Sequence, residues 1–393
     1  MHIIFVSYNN LESNSGGHIS NLANELAKRG VGITIFVPCN ADAAPLRTVS
    51  RKHECLAFGD VNDWLMKSSL AVEETLLVAW TPRENVRHFV GSFRRRFACR
   101  YVVHMEDNEA LLTATSLGFE TDQLGRLPRA VLDASIPCDS SLAHPVHFER
   151  FVSTAHGATA LIDSLFSITR PPRNHLVFWP GASPAFFGSK TVDFACRRSF
   201  GIKDNELLLA YTGNLHKANQ SEIRSLYLAT AILNRRGIKA RLIRTGDDYV
   251  PVFPEPIAEV NRHVVTLGRL RDEVEVARVL SAADILVQPG RRDLFNEYRF
   301  PSKLPEFFAT GRPVIMPNAN LGRFVRDGED CLLLKRGDAV EIADHITRLR
   351  SDPELCLRLS AASRRFALAH FCWPQISEKI LLFYAQILAT ESL

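Results

Sequence analysis

Short apolar runs alternate with stretches of helical spacing along the chain, the pattern of parallel strands covered by helices. Residues 3–6 (Ile-Ile-Phe-Val) read as a first strand. Ile19, Leu22, Ala23, Leu26 and Ala27 then fall on one helix face, closed by Lys28, Arg29 and Gly30. Residues 33–37, 76–79, 101–104 and 176–179 supply further strands of the first half. The opening then repeats: residues 207–211 form a strand, Thr212 to Lys217 a loop, and Ile223, Leu226, Thr230 and Leu233 a buried helix face ended by Gly237. Asn219 and Glu222, three apart, have the spacing of a capping box. Strands are predicted again at 240–244, 264–267, 285–288, 314–316 and 331–334.

This strand–glycine loop–helix opening, once per half, predicts an α/β fold of two nucleotide-binding-type domains. Pro171-Pro172 and the run Pro180-Gly181-Ala182-Ser183-Pro184 place the boundary near residue 184. The division is 1–183 and 184–372, with a last helical segment, 373–393, expected to cross back to the first domain.

Composition changes this picture little. Of 393 residues, 46% are hydrophobic and 23% charged, which excludes a mainly disordered chain, and a net charge of +4 is too mild for a nucleic-acid binder. The apolar run at the N-terminus is too short for a signal-peptide core, and no run reaches the ~18 residues of a membrane span. Eight cysteines without a C-x-x-C pair read as free thiols in a reducing compartment rather than a zinc site or disulfide framework. A cytoplasmic location is expected. Residues 87–97 mix arginines with phenylalanines, which suits either a peripheral contact at the inner membrane face or a solvated helix face.

Ligands of open parallel sheets bind beyond the carboxyl ends of the strands, so four strand-exit segments are candidates. Ser15-Gly16-Gly17-His18 allows close backbone approach to a phosphate or acceptor, and equally a plain strand–helix turn. It is not the G-x-G-x-x-G of nicotinamide dehydrogenases. His104, with Glu106, Asp107 and Glu109, crowds a central strand end, and some of these acids suit the start of the next helix. Gly213-Asn214-Leu215-His216-Lys217 enters a helix with a lysine suited to a diphosphate, or a solvated loop lysine. In the last segment Ser302 can cap a helix that tolerates Pro305 and stops at Gly311. That places Glu306 one turn in, where it suits ribose hydroxyls or simply the helix dipole.

Taken in order, these segments resemble the GT-B glycosyltransferases, specifically the retaining glycosyltransferase family four. The likeness adds Trp179-Pro180-Gly181, Leu280-Ser281-Ala282-Ala283-Asp284-Ile285-Leu286-Val287, Pro301 to Glu306 with Gly311-Arg312-Pro313-Val314-Ile315, Asp327-Gly328 and Phe371-Cys372-Trp373. It implies two Rossmann-like domains facing across a cleft, the second holding a nucleotide-diphosphate sugar and the first a glycan, lipid-linked or small-molecule hydroxyl acceptor. It implies retention of anomeric configuration, with no cofactor and no metal. The absence of an Asp-x-Asp at a strand end agrees with that. By match, Glu306 holds the ribose and Lys217 the diphosphate, Lys303 is a second phosphate or sugar contact, and Gly213 and Asn214 line the donor. Gly268, Arg269 and Leu270 lie against the base, Gly16, Gly17 and His18 form the acceptor or phosphate loop, and His104 meets the sugar. Tyr298 stands where the family often has a first glutamate, and Asn214 where it often has an arginine. The rival readings are a sugar-nucleotide epimerase or hydrolase on this fold, and a non-catalytic nucleotide-sugar-binding protein.

Overall fold

The computed structural model describes residues 1–42, 53–188 and 192–390. The last residues of the C-terminal segment, 391–393, lie outside the described residues. The chain divides into two compact units. The first is Met1–Pro180 with Tyr298–Phe300 and the segment from Trp373 on; the second is Gly181–Glu297 with Pro301–Cys372.

The first unit is built on β1 (His2–Ser7), β2 (Gly32–Val37), β3 (Glu54–Ala57), β4 (Thr75–Trp80), β5 (Arg100–Met105), β6 (Gly157–Ala160) and β7 (His175–Val177). They pair in the order β3-β2-β1-β4-β5-β6-β7, each pairing parallel. The second unit contains β8 (Leu207–Thr212), β9 (Ala240–Thr245), β10 (Val264–Thr266), β11 (Ile285–Val287), β12 (Val314–Pro317) and β13 (Leu332–Leu334), ordered β10-β9-β8-β11-β12-β13 and again parallel. The central strands are continuous apolar runs because helices cover both faces, so no polar alternation is needed. In both sheets the chain reverses its direction of travel beside the first strand of the unit. That leaves a crevice point at β1/β4 and another at β8/β11.

Two strands carry no apolar run. β3 is a half-buried edge strand, Glu-Cys-Leu-Ala. β6 is Gly-Ala-Thr-Ala, and its small residues make room for the helix Trp373–Ala389. A Cβ on Gly157 would lie 2.7 Å from Ile387 Cδ1 and 3.1 Å from Phe383 Cζ. That helix buries Ile376, Ile380, Phe383, Tyr384 and Ile387 within the first unit. It is tied there by Arg29 donating to Pro374 O (2.7 Å), Lys379 to Val177 O (3.1 Å) and Arg100 to Leu388 O (2.7 Å).

The helix Glu84–Arg96 turns Val86, Phe89, Val90 and Phe93 into the core. Its phenylalanines are therefore unavailable to a membrane. Arg87 pairs with Glu84, and Arg94 donates to Cys99 O (2.9 Å) while lying 4.7 Å over the Tyr101 ring.

The capping box expected from Asn219 and Glu222 does not form. Asn219 Oδ1 accepts from His216 N (2.8 Å) and its Nδ2 donates to Asn214 O (3.0 Å), closing the turn ahead of the helix Gln220–Arg235. Glu222 is drawn away as acceptor to Asn296 Nδ2 (2.6 Å).

Candidate functional site

At the β1/β4 crevice of the first unit, strand register sets Trp80 beside His104 and His104 beside Thr159. His104 is 0% exposed, with ring centroids 4.0 Å from Trp80 and 4.9 Å from Phe178. Its Nδ1 is 2.8 Å from Thr159 Oγ1, while Nε2 has no hydrogen-bond partner and lies 4.0 Å from Glu106 Oε1. Burial, with the His18 charge adding, outweighs the pull of Glu106 and lowers the His104 pKa to about 3, so the ring is neutral.

Glu106 is the hub of this end. Its carboxylate accepts from the Ser15 hydroxyl, from Trp80 Nε1 (2.9 Å), and pairs with His18 Nδ1 (2.9 Å). Burial pushes its pKa up, but the His18 hydrogen bond and charge, the His104 charge and Ser15 win, holding it at about 2. Glu109 is the buried partner of Arg83, whose Nε reaches Oε1 at 3.3 Å and Oε2 at 3.0 Å. The Arg83 guanidinium also stacks 3.7 Å from the Tyr8 ring centroid. Asp107, half-buried, has no hydrogen bond or ion pair among the described residues. Burial, Glu109 and Glu106 raise its pKa to about 7 against Arg83 and Arg299. Beside these groups Thr81 carries φ 76, a left-handed conformation costly for a β-branched residue and common where structure is held for function.

The Gly16-Gly17 pair lies inside the first turn of the helix Asn14–Lys28, not in a loop. A Cβ on Gly16 would meet the Leu11 backbone at 2.5 Å, so this glycine is required by close packing of the preceding turn. Gly17 O accepts from Asn21 Nδ2 (3.0 Å). Ser15 and His18 are the members of that segment whose side chains join the strand-exit network. Sequence reading missed Trp80, Arg83 and Thr159, and it gave the Ser15 and Arg299 side chains no role; a tryptophan at the end of an apolar strand was the one available signal.

In the second unit the β8 exit is open backbone. Gly213 has φ 134 and Gly246 φ 101, and a Cβ on Gly246 would lie 2.5 Å from the Gly213 carbonyl, so the β8 and β9 exits are pressed together. Lys303 lies over Gly213: a Cβ there would be 2.9 Å from its Nζ, which donates to Tyr211 OH (3.2 Å) and sits 4.5 Å from that ring's centroid. Lys217 is exposed in the single turn Lys217–Asn219. Asn214 serves the loop: its Oδ1 accepts from Asp247 N (2.9 Å). Gly268 O accepts from Gly246 N (2.7 Å), Arg269 pairs with Asp247 (3.1 Å), and Leu270 is half-buried. Glu306, 9% exposed, stands in the first turn of the helix Leu304–Thr310. Two buried oxygens without hydrogen-bond partners, Thr212 Oγ1 and Gln288 Oε1, mark the adjacent ends of β8 and β11. Tyr298, with Arg299 and Phe300, groups with the first unit, although its flanking residues belong to the second; Phe300 stacks on Trp179 there, 6.4 Å between centroids.

One group among the described residues has metal-ligand composition: Asp133, His144 and His147, with ligand atoms within 4.8 Å of one another. His144 Nδ1 accepts from Val146 N (3.2 Å), which puts the ring proton on Nε2, 3.2 Å from Asp133 Oδ1. Arg129 lies 3.6 Å from Asp133 and 3.4 Å from His147. A protonated Nε2 and a neighbouring guanidinium make this a polar cluster rather than a cation site. No helix among the described residues is long and apolar enough to cross a membrane.

Residues 206–352 match the family model described as "Glycosyl transferases group 1". A D-inositol 3-phosphate glycosyltransferase of Actinosynnema mirum is 27% identical over 206 residues, 48% of this chain and 46% of that protein. The chain spans less than half the length of the curated relatives it matches. Among solved structures, sucrose-phosphate synthase from Thermosynechococcus elongatus superposes with a TM-score of 0.72 at 16% identity, covering 100% of both chains. Anabaena HepE in complex with UDP-glucose gives 0.66 at 13%, covering 98% of this chain and 100% of that one. Two parallel-sheet α/β units with this coverage are the GT-B fold.

Proposed function

We propose that this protein is a glycosyltransferase that moves a sugar from a nucleotide-diphosphate donor to a hydroxyl acceptor. The observation that carries the reading is the β8/β11 end of the second unit, inside the stretch that matches the group 1 model. There, positive-φ glycines leave backbone open beside Lys303, with Glu306 on the next helix. In this reading Glu306 accepts hydrogen bonds from the ribose, and Gly213, Lys303 and Lys217 meet the diphosphate. Asn214 holds the loop rather than the phosphate, and Gly268, Arg269 and Leu270 flank the base. The first unit, with His104, His18, Gly16 and Gly17 at or near its crevice, serves the acceptor and the transferred sugar.

The bond from the anomeric carbon to the diphosphate breaks through a state of oxocarbenium character. The diphosphate gains charge as it leaves, and fixed donors aimed at that charge are the largest service a site offers. A new bond forms from the anomeric carbon to the acceptor oxygen, and the hydroxyl proton passes to the departing phosphate. We read the transfer as retaining and independent of metal and cofactor, the positive charge coming from lysines and backbone N–H groups. The acceptor class is a glycan, a lipid-linked saccharide or a small polyol. Contact with an anionic membrane surface, if made by the helix Glu84–Arg96, is electrostatic, worth ~1 kcal/mol per basic residue, because its phenylalanines are core.

The test is transfer from a panel of UDP-, GDP- and ADP-sugars to glycoside acceptors, with and without EDTA. Product whose formation needs both substrates, keeps the donor's anomeric configuration and survives EDTA is expected. Donor turnover without acceptor would favour an epimerase or hydrolase, and donor binding without turnover a binding protein.

A further inference from the structure

Three carboxylates follow the His104 strand within four residues, and they are not equivalent. Glu106 is spent on Ser15, His18 and Trp80, and Glu109 on Arg83. Asp107, between them in sequence and half-buried, keeps both oxygens uncommitted among the described residues. A second observation points to a ligand at the same strand exit. His104, 0% exposed on the strand that ends there, leaves its Nε2 without a hydrogen-bond partner, 4.0 Å from the Glu106 carboxylate. A buried polar atom without a partner is retained where something else uses or tunes it.

Resting on the transferase reading, we propose that Asp107 binds the acceptor: its carboxylate takes the hydrogen bonds of a sugar or polyol hydroxyl pair. A carboxylate has acceptor sites only, and two vicinal hydroxyls present two donors, so each satisfies the other. The neighbouring Glu106 and Glu109 are held by their own partners and do not compete. The charged and titratable groups facing Asp107 come from each adjoining element: Glu106 and Glu109 beyond β5, Arg83 beyond β4, and Arg299 from the Tyr298–Phe300 segment. Those further in, on Glu106, are His18 from the helix Asn14–Lys28 and His104 from β5. Burial and the two glutamates keep the Asp107 carboxyl protonated well above the ordinary range, to about 7. The acceptor-binding form is the ionised one, so acceptor affinity rises with pH across neutrality.

The probes are methyl glucosides, galactosides and mannosides as acceptors, with a donor the wild type uses, from pH 5.5 to 8.5. Wild-type acceptor KM should fall as pH rises through about 7 while donor KM stays level. Asp107→Asn should raise acceptor KM roughly 10- to 100-fold at pH 8, the size of a charged hydrogen bond, and flatten its pH dependence. Donor KM and the thermal shift given by nucleoside diphosphate should not move, which separates this from a folding defect. Asp107→Glu should recover part of the pH dependence. Unchanged acceptor KM in Asp107→Asn overturns the assignment while the transferase reading stands. Equal damage to donor and acceptor KM also overturns it. A wild type that binds nucleoside diphosphate yet transfers to no glycoside fails the transferase reading, and this assignment with it.

Discussion

The two crevice points of the molecule share a sheet topology and differ in almost every chemical respect. The first unit ends its central strands in side chains already bonded to one another: Glu106 accepts three donors and His104 is sealed between two aromatic rings. Three acids stand there against Arg83 and Arg299. The second unit ends its strands in backbone, with glycines at φ 134 and 101 and a lysine lying over the first of them. A diphosphate needs exposed N–H groups and fixed positive charge, and an acid-rich exit repels it. Topology alone offers two equal crevices; the residues that close the strands are what set the second apart as the one we propose for a nucleotide.

The sharpest way to break this contrast is to remove its charge. Lys303→Ala should lower kcat about 100-fold or more, since in the proposed reading its ammonium faces charge that grows as the diphosphate departs. Lys217→Ala should cost less, about tenfold, because solvent and salt screen an exposed lysine. Steady-state kinetics on both variants decide this, and a larger loss in Lys217→Ala than in Lys303→Ala reverses the assignment.

Truncation on the other side should spare the nucleotide. His104→Ala empties a packed position between Trp80 and Phe178, at about 2 kcal/mol or more of stability, and turnover should fall with it. The thermal shift produced by nucleoside diphosphate should remain that of the wild type, because the ring belongs to the other crevice. Loss of that shift would mean the two strand exits do not divide the substrates as proposed.

Glu306→Gln acts within the second unit and in the opposite sense to Lys303→Ala. A ribose contact is as strong in the ground state as in the transition state. Donor KM should therefore rise by roughly 10- to 100-fold with kcat nearly kept, the ~1.5–3 kcal/mol of a charged hydrogen bond. A fall in kcat at unchanged donor KM would remove Glu306 from the ribose.

The architecture was legible because a buried parallel strand writes itself as an apolar run, and the eleven predicted strands all appear. β3 and β6 were illegible for separate reasons. One is an edge strand with a polar start, and the other is stripped to Gly157, Ala158 and Ala160 to admit a helix from the far end of the chain. Sequence could also find the strand exits but not how their side chains share partners. Nothing local tells Glu106, Asp107 and Glu109 apart; their difference comes from Ser15, His18, Trp80 and Arg83, brought in by three other elements. The Gly16-Gly17 pair misled in the same way, since Gly16 is demanded by the Leu11 backbone.

The smallest effect expected is also a direct reading of the acid-rich exit. The Asp107 carboxyl, raised by burial and by Glu109 and Glu106 from an ordinary 3.8 to about 7, holds a proton in the native state across a range where the unfolded chain has lost it. Unfolding then releases a proton from the native side, so this group's contribution to stability falls as pH rises from about 4 to about 7 and is constant above. Asp107→Asn removes that penalty. The variant should be more stable than wild type at pH 8, by an amount reduced by the partial exposure of the site. Its advantage should shrink steadily toward pH 4. Glu106 and His104 act with the opposite slope, losing stability as pH falls through their lowered values, but they do so in both proteins and cancel in the difference. Thermal melts of the pair at half-unit steps measure it. A Tm difference that is flat between pH 4 and 8 would show that Asp107 ionises normally and that the acidic exit is better compensated than its facing charges indicate.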